Sequence, residues 1–215
     1  MQKKNRMLNK KETKEVIDAL IAAYPDAGCA LDYGTKYQLL VSVMLSAQTT
    51  DASVNKVTPA LFAKAPDAAA MAALSEEELQ DTIRSIGLYK NKAKNLLAMS
   101  GQLLEHFGGE VPHDRQALES LPGVGRKTAN VVLAEGFGEQ QIAVDTHVFR
   151  LANRIGLTEA KNVSETESGL QKAIPEDQWT LMHHCLIFHG RRCCHARGPS
   201  CEACPINGVC EKNGL

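Results

Sequence analysis

The stretch LPGVGRKTANVV, residues 121–132, decides how this chain is interpreted. A turn containing Pro122, Gly123 and Gly125 leads directly into a lysine and a helical apolar pattern. Glycine tolerates a positive φ and has no side chain, so successive backbone N–H groups can point outward at the start of the next helix. Such a helix start can bind an anion, for example a phosphate. A G-x-G turn alone is, however, more often a helical hairpin in which glycine serves geometry only.

Helical periodicity extends from this hairpin in both directions along the chain. Aromatic residues make up only 5% of the sequence, and alternating strand-like runs are hard to find, which favours a mostly helical, all-α fold. Ser75 with Glu78 three residues later predicts a capping box, and residues 112–114 and 175–177 predict loops or helix entries. The clearest helical segments are residues 12–24, 37–48, 75–86, 91–107, 115–121, 125–137 and 146–157.

Length and composition set broad limits on function. The 215 residues, 44% of them hydrophobic, can form one domain or two small ones with a buried core. Residues 1–16 are charged throughout, and no segment approaches the roughly 18 continuous apolar residues of a membrane span. We therefore expect a soluble, non-secreted protein without a membrane partner, which suits a bacterial cytoplasm.

The charge distribution leaves a nucleic-acid partner open. A net charge of -1 argues weakly against one, because counterion release rewards basic surfaces. Basic residues nevertheless cluster at 89–95 and 189–197, whereas acidic residues gather at 75–81. A polarised surface is consistent with this pattern, and so are ordinary solvated charged faces.

Lys127 and Asp145 are the two candidates for catalysis. The first turn of a helix beside Arg126 destabilises the ammonium form of Lys127 and favours a neutral, nucleophilic amine. An exposed lysine that contacts phosphate is the alternative. Asp145 stands just before a helix, where an aspartate is most often an N-cap, and a capped carboxylate stays ionised and can also act in proton transfer. His147 in the same step receives no catalytic role.

Four cysteines within 17 residues indicate a bound metal. They are Cys194, Cys201, Cys204 and Cys210, with spacing x6, x2 and x5. A four-thiolate zinc site and a [4Fe-4S] cluster both fit this chemistry. Cys193 would give x7 and is interpreted as a non-ligand. Of the seven cysteines, Cys29 and Cys185 are expected to be buried small apolar residues.

Three motifs together resemble one family. The string LPGVGRKTA, the V-D-T-H step at 144–147 and the cysteine spacing are similar to those of the endonuclease III family of helix-hairpin-helix DNA glycosylases. The resemblance implies two helical domains flanking a DNA-binding cleft, one continuous over residues 29–139 and one formed by 1–28 and 140–215. It further implies a structural [4Fe-4S] cluster within 194–210 and puts Lys127 and Asp145 across the cleft.

Roles for individual residues follow from the same resemblance. Lys127 takes the position of the Schiff-base lysine and Asp145 that of the catalytic aspartate. Gln48 and Leu88 take the positions of the side chains that enter DNA when a nucleotide is extruded. Without the resemblance, Gln48 would be interpreted as a polar residue at a helix end and Leu88 as a core leucine. The full set of expected DNA-binding residues is Gln48, Leu88, Gly123, Val124, Gly125, Arg126, Thr128 and Arg197.

The implied activity is base-excision repair by a monomer acting on double-stranded DNA. The family removes oxidised pyrimidines and cleaves the strand 3′ to the abasic site by β-elimination through a lysine Schiff base. One alternative is a monofunctional mismatch adenine glycosylase, which lacks the hairpin lysine and has a glutamate where this chain has Ser42. The other is a non-catalytic iron-sulfur protein that binds DNA through the hairpin alone.

Overall fold

The computed structural model describes residues 5–215, and within this range every regular element is a helix. The all-α expectation is therefore confirmed. The α-helices are α1 (Lys10–Ala23), α2 (Lys36–Leu45), α3 (Asp51–Lys64), α4 (Ala68–Ala72), α5 (Glu76–Thr82), α6 (Tyr89–Phe107), α7 (Arg115–Ser120), α8 (Arg126–Phe137), α9 (Thr146–Ile155), α10 (Val163–Ala173) and α11 (Trp179–Arg192), with one 3-10 helix at Glu176–Gln178. None of these helices is long and apolar enough to span a membrane.

The chain divides into two compact units. The first unit is formed by both termini, Met1–Cys29 and Gln140–Leu215, and the second is Ala30–Glu139. The core of the first unit joins α1, α9 and α11, with fully buried side chains that include Val16, Leu20, Val148, Leu151, Ile155, Met182, Cys185 and Leu186. Both termini thus contribute to one hydrophobic core.

The second unit is built around α2, which is buried on nearly all sides. Eight of its ten residues are buried, so it reads as a continuous apolar run. It packs against α8, where Gly136 allows close approach: a Cβ there would lie 3.2 Å from Cδ2 of Leu39. This packing fixes the helix that carries Lys127 against the centre of the unit.

Local sequence signals begin the helices as expected. Ser75 and Glu78 form the predicted capping box of α5, and Asp114 caps α7 by accepting a hydrogen bond from the Ala117 N–H at 2.8 Å. A second capping box, Asn9 with Glu12, starts α1. Each cap satisfies backbone donors that the helix itself leaves unpaired.

Four helices were not identified from the sequence: α3, α4, α10 and α11. A proline, Pro59, lies inside α3, and half of the fourteen residues of α11, three histidines among them, are buried, so neither helix shows a simple apolar stripe.

The two cysteines outside the C-terminal group differ in burial. Cys185 is fully buried as expected, whereas the expectation was wrong for Cys29, which is only half-buried because it lies in the loop after α1.

Candidate active site and cysteine cluster

The hairpin at 121–125 joins α7 to α8 through a tight turn with a buried apolar anchor on each side. Leu121 and Val124 are both buried, and the Val124 N–H donates to the Leu121 carbonyl oxygen at 3.0 Å. Because its N–H is already used and its side chain is buried, Val124 stabilises the turn and is the least accessible of the expected DNA-binding residues.

The two glycines of the hairpin serve different purposes. Gly123 has φ 79, and a Cβ there would lie 2.9 Å from both the Asn95 side-chain nitrogen and the Met44 methyl. Gly125 has φ -103, and a Cβ there would meet nothing within 4 Å. Gly123 is thus required by the fold itself, whereas Gly125 leaves the backbone open on the outside of the turn.

Lys127 lies in the first turn of α8 with its side chain exposed. Gly125 is the N-cap and provides no side-chain cap, so the first N–H groups of α8 receive no capping side chain. Within the described part of the chain, the Lys127 amine makes no hydrogen bond and no ion pair. Arg126 is exposed beside it and Thr128 is half-buried. The amine is therefore accessible to a ligand from outside the protein.

Asp145 is the N-cap of α9, as the sequence indicated. Its Oδ1 accepts a hydrogen bond from the Val148 N–H at 2.8 Å, and the residue is half-buried. The neighbouring His147 has its pKa lowered mainly by burial, with Asp145 opposing that shift. Lys127 belongs to the second unit and Asp145 to the first, and each is described within its own unit.

Gln48 and Leu88 share an unusual backbone conformation. Among the non-glycine residues that the structure describes, only these two and Lys212 have a positive φ, 54 for Gln48 and 60 for Leu88. Leu88 is 56% exposed, so it is not a core leucine, and it occupies the N-cap of α6, where a polar capping residue is usual. Left-handed backbone costs about 1–2 kcal/mol at such a residue, and strain of this kind concentrates at functional sites.

The cysteines of the C-terminal loop line one cavity of the first unit. Cys194, Cys201, Cys204 and Cys210 all border it, and Cys193 does as well. Burial raises the pKa of the Cys210 thiol, and burial together with the neighbouring thiols raises the pKa of Cys193 to about 11. Crowded thiols in apolar surroundings disfavour thiolates unless a cationic centre neutralises them, so the donor set suits a metal centre.

Two arginines that the sequence did not single out hold this loop. The Arg154 guanidinium donates to the Cys194 sulfur at 3.4 Å and to the His195 carbonyl oxygen at 2.7 Å. Arg150 donates to the Cys194 carbonyl oxygen at 2.8 Å. Both arginines come from α9, the helix that Asp145 caps, so α9 connects the candidate catalytic aspartate with the cysteine loop. Arg197, between Cys194 and Cys201 in the same loop, is exposed.

The distances in the structure and the spacing in the sequence favour different cysteines as the first ligand of the set. The ligand atoms of His189, Cys193 and Cys204 lie within 4.8 Å of one another, whereas the spacing favours Cys194. We favour Cys194, because its sulfur is buried and receives a guanidinium hydrogen bond, as a charged ligand would require. His189 lies beside this set: its Nδ1 is 2.8 Å from the Tyr24 hydroxyl and its Nε2 is 3.7 Å from the Cys204 sulfur.

Comparison with known proteins gives a consistent family. The model for HhH-GPD superfamily base excision DNA repair proteins matches residues 41–176. The chain is 47% identical over 207 residues to Endonuclease III of Bacillus subtilis (strain 168), which covers 96% of this chain and 94% of that protein. It is also 47% identical over 204 residues to Endonuclease III of Escherichia coli (strain K12), with 95% and 97% covered.

Solved structures give the same result. A trapped endonuclease III–DNA covalent intermediate and a non-covalent endonuclease III–DNA complex each match with a TM-score of 0.92 and 45% identity, covering 96% of this chain and 98% and 97% of theirs. A thermostable thymine-DNA glycosylase, 23% identical, shares the fold with a TM-score of 0.85. The chain therefore belongs to the HhH-GPD superfamily of base-excision DNA repair proteins and, within it, to the endonuclease III family, whose members are DNA glycosylases with abasic-site lyase activity.

Proposed function

We propose that this enzyme excises oxidised pyrimidines from double-stranded DNA and then cuts the strand 3′ to the abasic site, with Lys127 as nucleophile. The proposal rests on the Lys127 amine, which is exposed and, among the described residues, without a partner in the first turn of α8, a helix whose N-terminus has no capping side chain. A phosphate contact alone would not require a carboxylate as well, and Asp145 supplies one.

The reaction begins with attack of the neutral Lys127 amine on C1′ of the damaged nucleotide. The bond between C1′ and the base nitrogen breaks, and the base leaves with the electron pair and takes up a proton. Asp145 stabilises the positive charge that develops on the sugar and helps to remove the proton from the attacking amine. The Val148 N–H holds its carboxylate in place for this role.

The second half of the reaction cuts the strand. Opening of the sugar ring gives an iminium linkage between Lys127 and C1′, which acidifies the C2′ proton. Loss of that proton breaks the bond between C3′ and its oxygen and releases the 3′ segment with its 5′-phosphate. Water then hydrolyses the imine and regenerates Lys127, so the reaction needs no external cofactor.

Binding to damaged duplex is assigned to two groups of residues. The hairpin residues Gly123, Gly125, Arg126 and Thr128, with Arg197 of the cysteine loop, contact the phosphate backbone, and Val124 supports the turn between them. Gln48 and Leu88 occupy the space that an extruded nucleotide leaves, which offsets part of the few kcal/mol that extrusion costs. The enzyme acts as a monomer in the bacterial cytoplasm, at the nucleoid.

The cysteine cavity suits a structural [4Fe-4S] cluster. Cys194, Cys201, Cys204 and Cys210 would hold it, and their common cavity and the guanidinium at Cys194 support this assignment. When bound, the cluster supplies a fixed cationic centre that shapes the loop carrying Arg197. Four cysteine ligands would leave no iron position open for substrate.

Borohydride trapping tests the proposed function directly. Wild-type enzyme is expected to form a covalent adduct with a duplex containing thymine glycol and with one containing an abasic site, and Lys127→Ala is expected to form neither. Arg126→Ala serves as the control at saturating enzyme concentration, because it removes a phosphate contact and a neighbouring charge but leaves the amine, so the adduct should still form. Trapping by Lys127→Ala, or none by wild type on either duplex, would overturn the proposal.

The two alternatives give other results in the same experiment. A monofunctional adenine glycosylase would release a base without any trapped adduct, and Ser42 already speaks against it because it stands in place of a catalytic glutamate. A non-catalytic DNA-binding protein would lose only modest affinity in Lys127→Ala and would cut neither duplex.

A further inference from the structure

Lys92 is a buried lysine whose ammonium is held by the turn that follows α2. Its Nζ donates to the Leu45 carbonyl oxygen at 2.8 Å, to the Ala47 carbonyl oxygen at 2.7 Å and to the Thr49 hydroxyl at 2.9 Å. The residue is only 7% exposed. An ammonium has three N–H donors, so each of them has a partner.

Burial of this charge carries a cost that has to be offset. Desolvation lowers the pKa of Lys92, and an apolar side chain of similar volume would avoid that cost. Leu45 is the last residue of α2, where unpaired carbonyl groups carry the negative end of the helix dipole. The ammonium therefore satisfies the end of α2 and fixes the turn beyond it.

The turn that Lys92 holds is the one that contains Gln48. Its acceptors on Ala47 and Thr49 stand on either side of Gln48, whose backbone is left-handed. The backbone N–H of Lys92 donates to the carbonyl oxygen of Leu88, the other left-handed residue, at 3.1 Å. The Lys92 side chain thus holds the turn of Gln48, while its main chain, like that of any residue at this position, is hydrogen-bonded to Leu88.

The two turns also pack against each other. A Cβ on Gly87 would lie 3.8 Å from the Gln48 carbonyl oxygen and 3.8 Å from the Thr49 hydroxyl. The turn before α6 therefore runs beside the turn after α2, and Lys92 reaches across from the first turn of α6.

We propose that Lys92 is a positioning residue that locks the turns of Gln48 and Leu88 into one preformed wedge, ready to replace an extruded nucleotide in duplex DNA. This inference rests on the proposed function, in which Gln48 and Leu88 enter the DNA. The free-energy cost of straining and ordering the two turns then arises when the protein folds and not when it binds DNA. More of the binding energy therefore remains for extruding the nucleotide.

Lys92→Met tests the inference, with Lys94→Met as the matched control. Both variants remove one positive charge from α6, but Lys94 is exposed and makes no hydrogen bond or ion pair with either turn. The probes are a duplex with thymine glycol, whose damaged base must be extruded, and a duplex with an abasic site, which has no base pair to open. For Lys92→Met, single-turnover base excision is expected to fall on the order of tenfold while abasic-site cleavage stays within about twofold.

Fluorescence of 2-aminopurine placed opposite the lesion reports insertion of the wedge. Its increase on binding is expected in wild type and Lys94→Met and is lost in Lys92→Met. Thr49→Val removes one acceptor with little change of shape, and a smaller loss of the same selectivity is expected; this variant decides the matter if Lys92→Met does not fold.

Two outcomes would overturn the inference. One is an unchanged ratio of base excision to abasic-site cleavage in Lys92→Met or, should that variant not fold, in Thr49→Val, which would leave Lys92 a structural residue. The other is an equal fall in the ratio of base excision to abasic-site cleavage in Lys94→Met, which would attribute the effect to the loss of charge. Failure of the proposed function is separate, because wild type would then form no Schiff base at the abasic site.

Discussion

The carboxylate of Asp145 caps α9 by accepting the backbone N–H of Val148 at 2.8 Å. Only one oxygen is needed for this hydrogen bond. The residue can therefore begin a helix and present a negative charge at the same time, and the two roles can be separated by substitution.

Asp145→Asn is expected to keep the helix and lose the reaction. Asparagine caps as well as aspartate, so the melting temperature should stay close to wild type, while base excision should fall by about 10²–10⁴ because the charge is gone. Asp145→Ala should show the same kinetic loss and in addition lose about 1 kcal/mol of stability. Thermal melting and single-turnover excision of thymine glycol measure the two effects. An active Asp145→Asn enzyme would show that the cap, and not the charge, matters.

Gly123→Ala and Gly125→Ala form a second pair with opposite expected results. Alanine at 123 must adopt φ 79 and would place its Cβ 2.9 Å from Asn95 and Met44, so we expect destabilisation of about 2 kcal/mol or more. Alanine at 125 meets no protein atom within 4 Å, and as a weaker N-cap than glycine it should cost at most about 1 kcal/mol of stability.

DNA affinity should show the reverse order. The methyl group of Gly125→Ala projects from the open side of the turn and should weaken binding to an abasic-site duplex about fivefold or more, about 1 kcal/mol. Fluorescence anisotropy at fixed salt measures this affinity. A stable Gly125→Ala protein with wild-type affinity would show that DNA does not approach the backbone at this turn.

Local signals explain how much of the fold could be predicted from the sequence. Caps and apolar stripes relate residues that are four or fewer positions apart. Residue types alone therefore predict the capping box of Ser75 and Glu78 and the start of α9 at Asp145. The helix α11 could not be found in this way, because buried histidines such as His184 interrupt its apolar pattern. Such residues are explained by their tertiary partners and not by their neighbours in sequence.

The residues of the candidate site also differ in whether a local motif identifies them. Lys127, Asp145 and the four cysteines lie in short motifs, so the chain could be matched to a family from them. Lys92 and Arg154 lie in no motif and act through partners more than 40 residues away, at Ala47 and His195. Their roles depend on the folded chain, and a single sequence contains no signal for them.

Ser42 allows a prediction about stability. It is fully buried in α2, and its hydroxyl has no hydrogen-bond partner among the described residues. Removing an unsatisfied buried hydroxyl should be neutral or stabilising, so we expect Ser42→Ala to raise stability by up to about 1 kcal/mol. The matched control is Ser100→Ala: Ser100 is equally buried, but its hydroxyl lies 2.7 Å from that of Tyr37, so its loss should cost about 1–3 kcal/mol. Urea unfolding of the three proteins compares them, and equal losses in both variants would mean that Ser42 has a partner.

The neighbouring cysteines at 193 and 194 give the last prediction. Spacing and the guanidinium of Arg154 assign Cys194 as the ligand, whereas the close grouping with His189 favours Cys193. Cys194→Ser is expected to lose bound iron, the broad absorption near ~400 nm and thermal stability, because three thiolates hold a cluster poorly. Cys193→Ser should keep all three properties. Iron analysis, absorption spectra and melting curves of anaerobically purified protein decide between them. If Cys193→Ser loses iron and Cys194→Ser keeps it, the ligand set is the geometric one, and colourless wild-type protein containing zinc would exclude the [4Fe-4S] cluster itself.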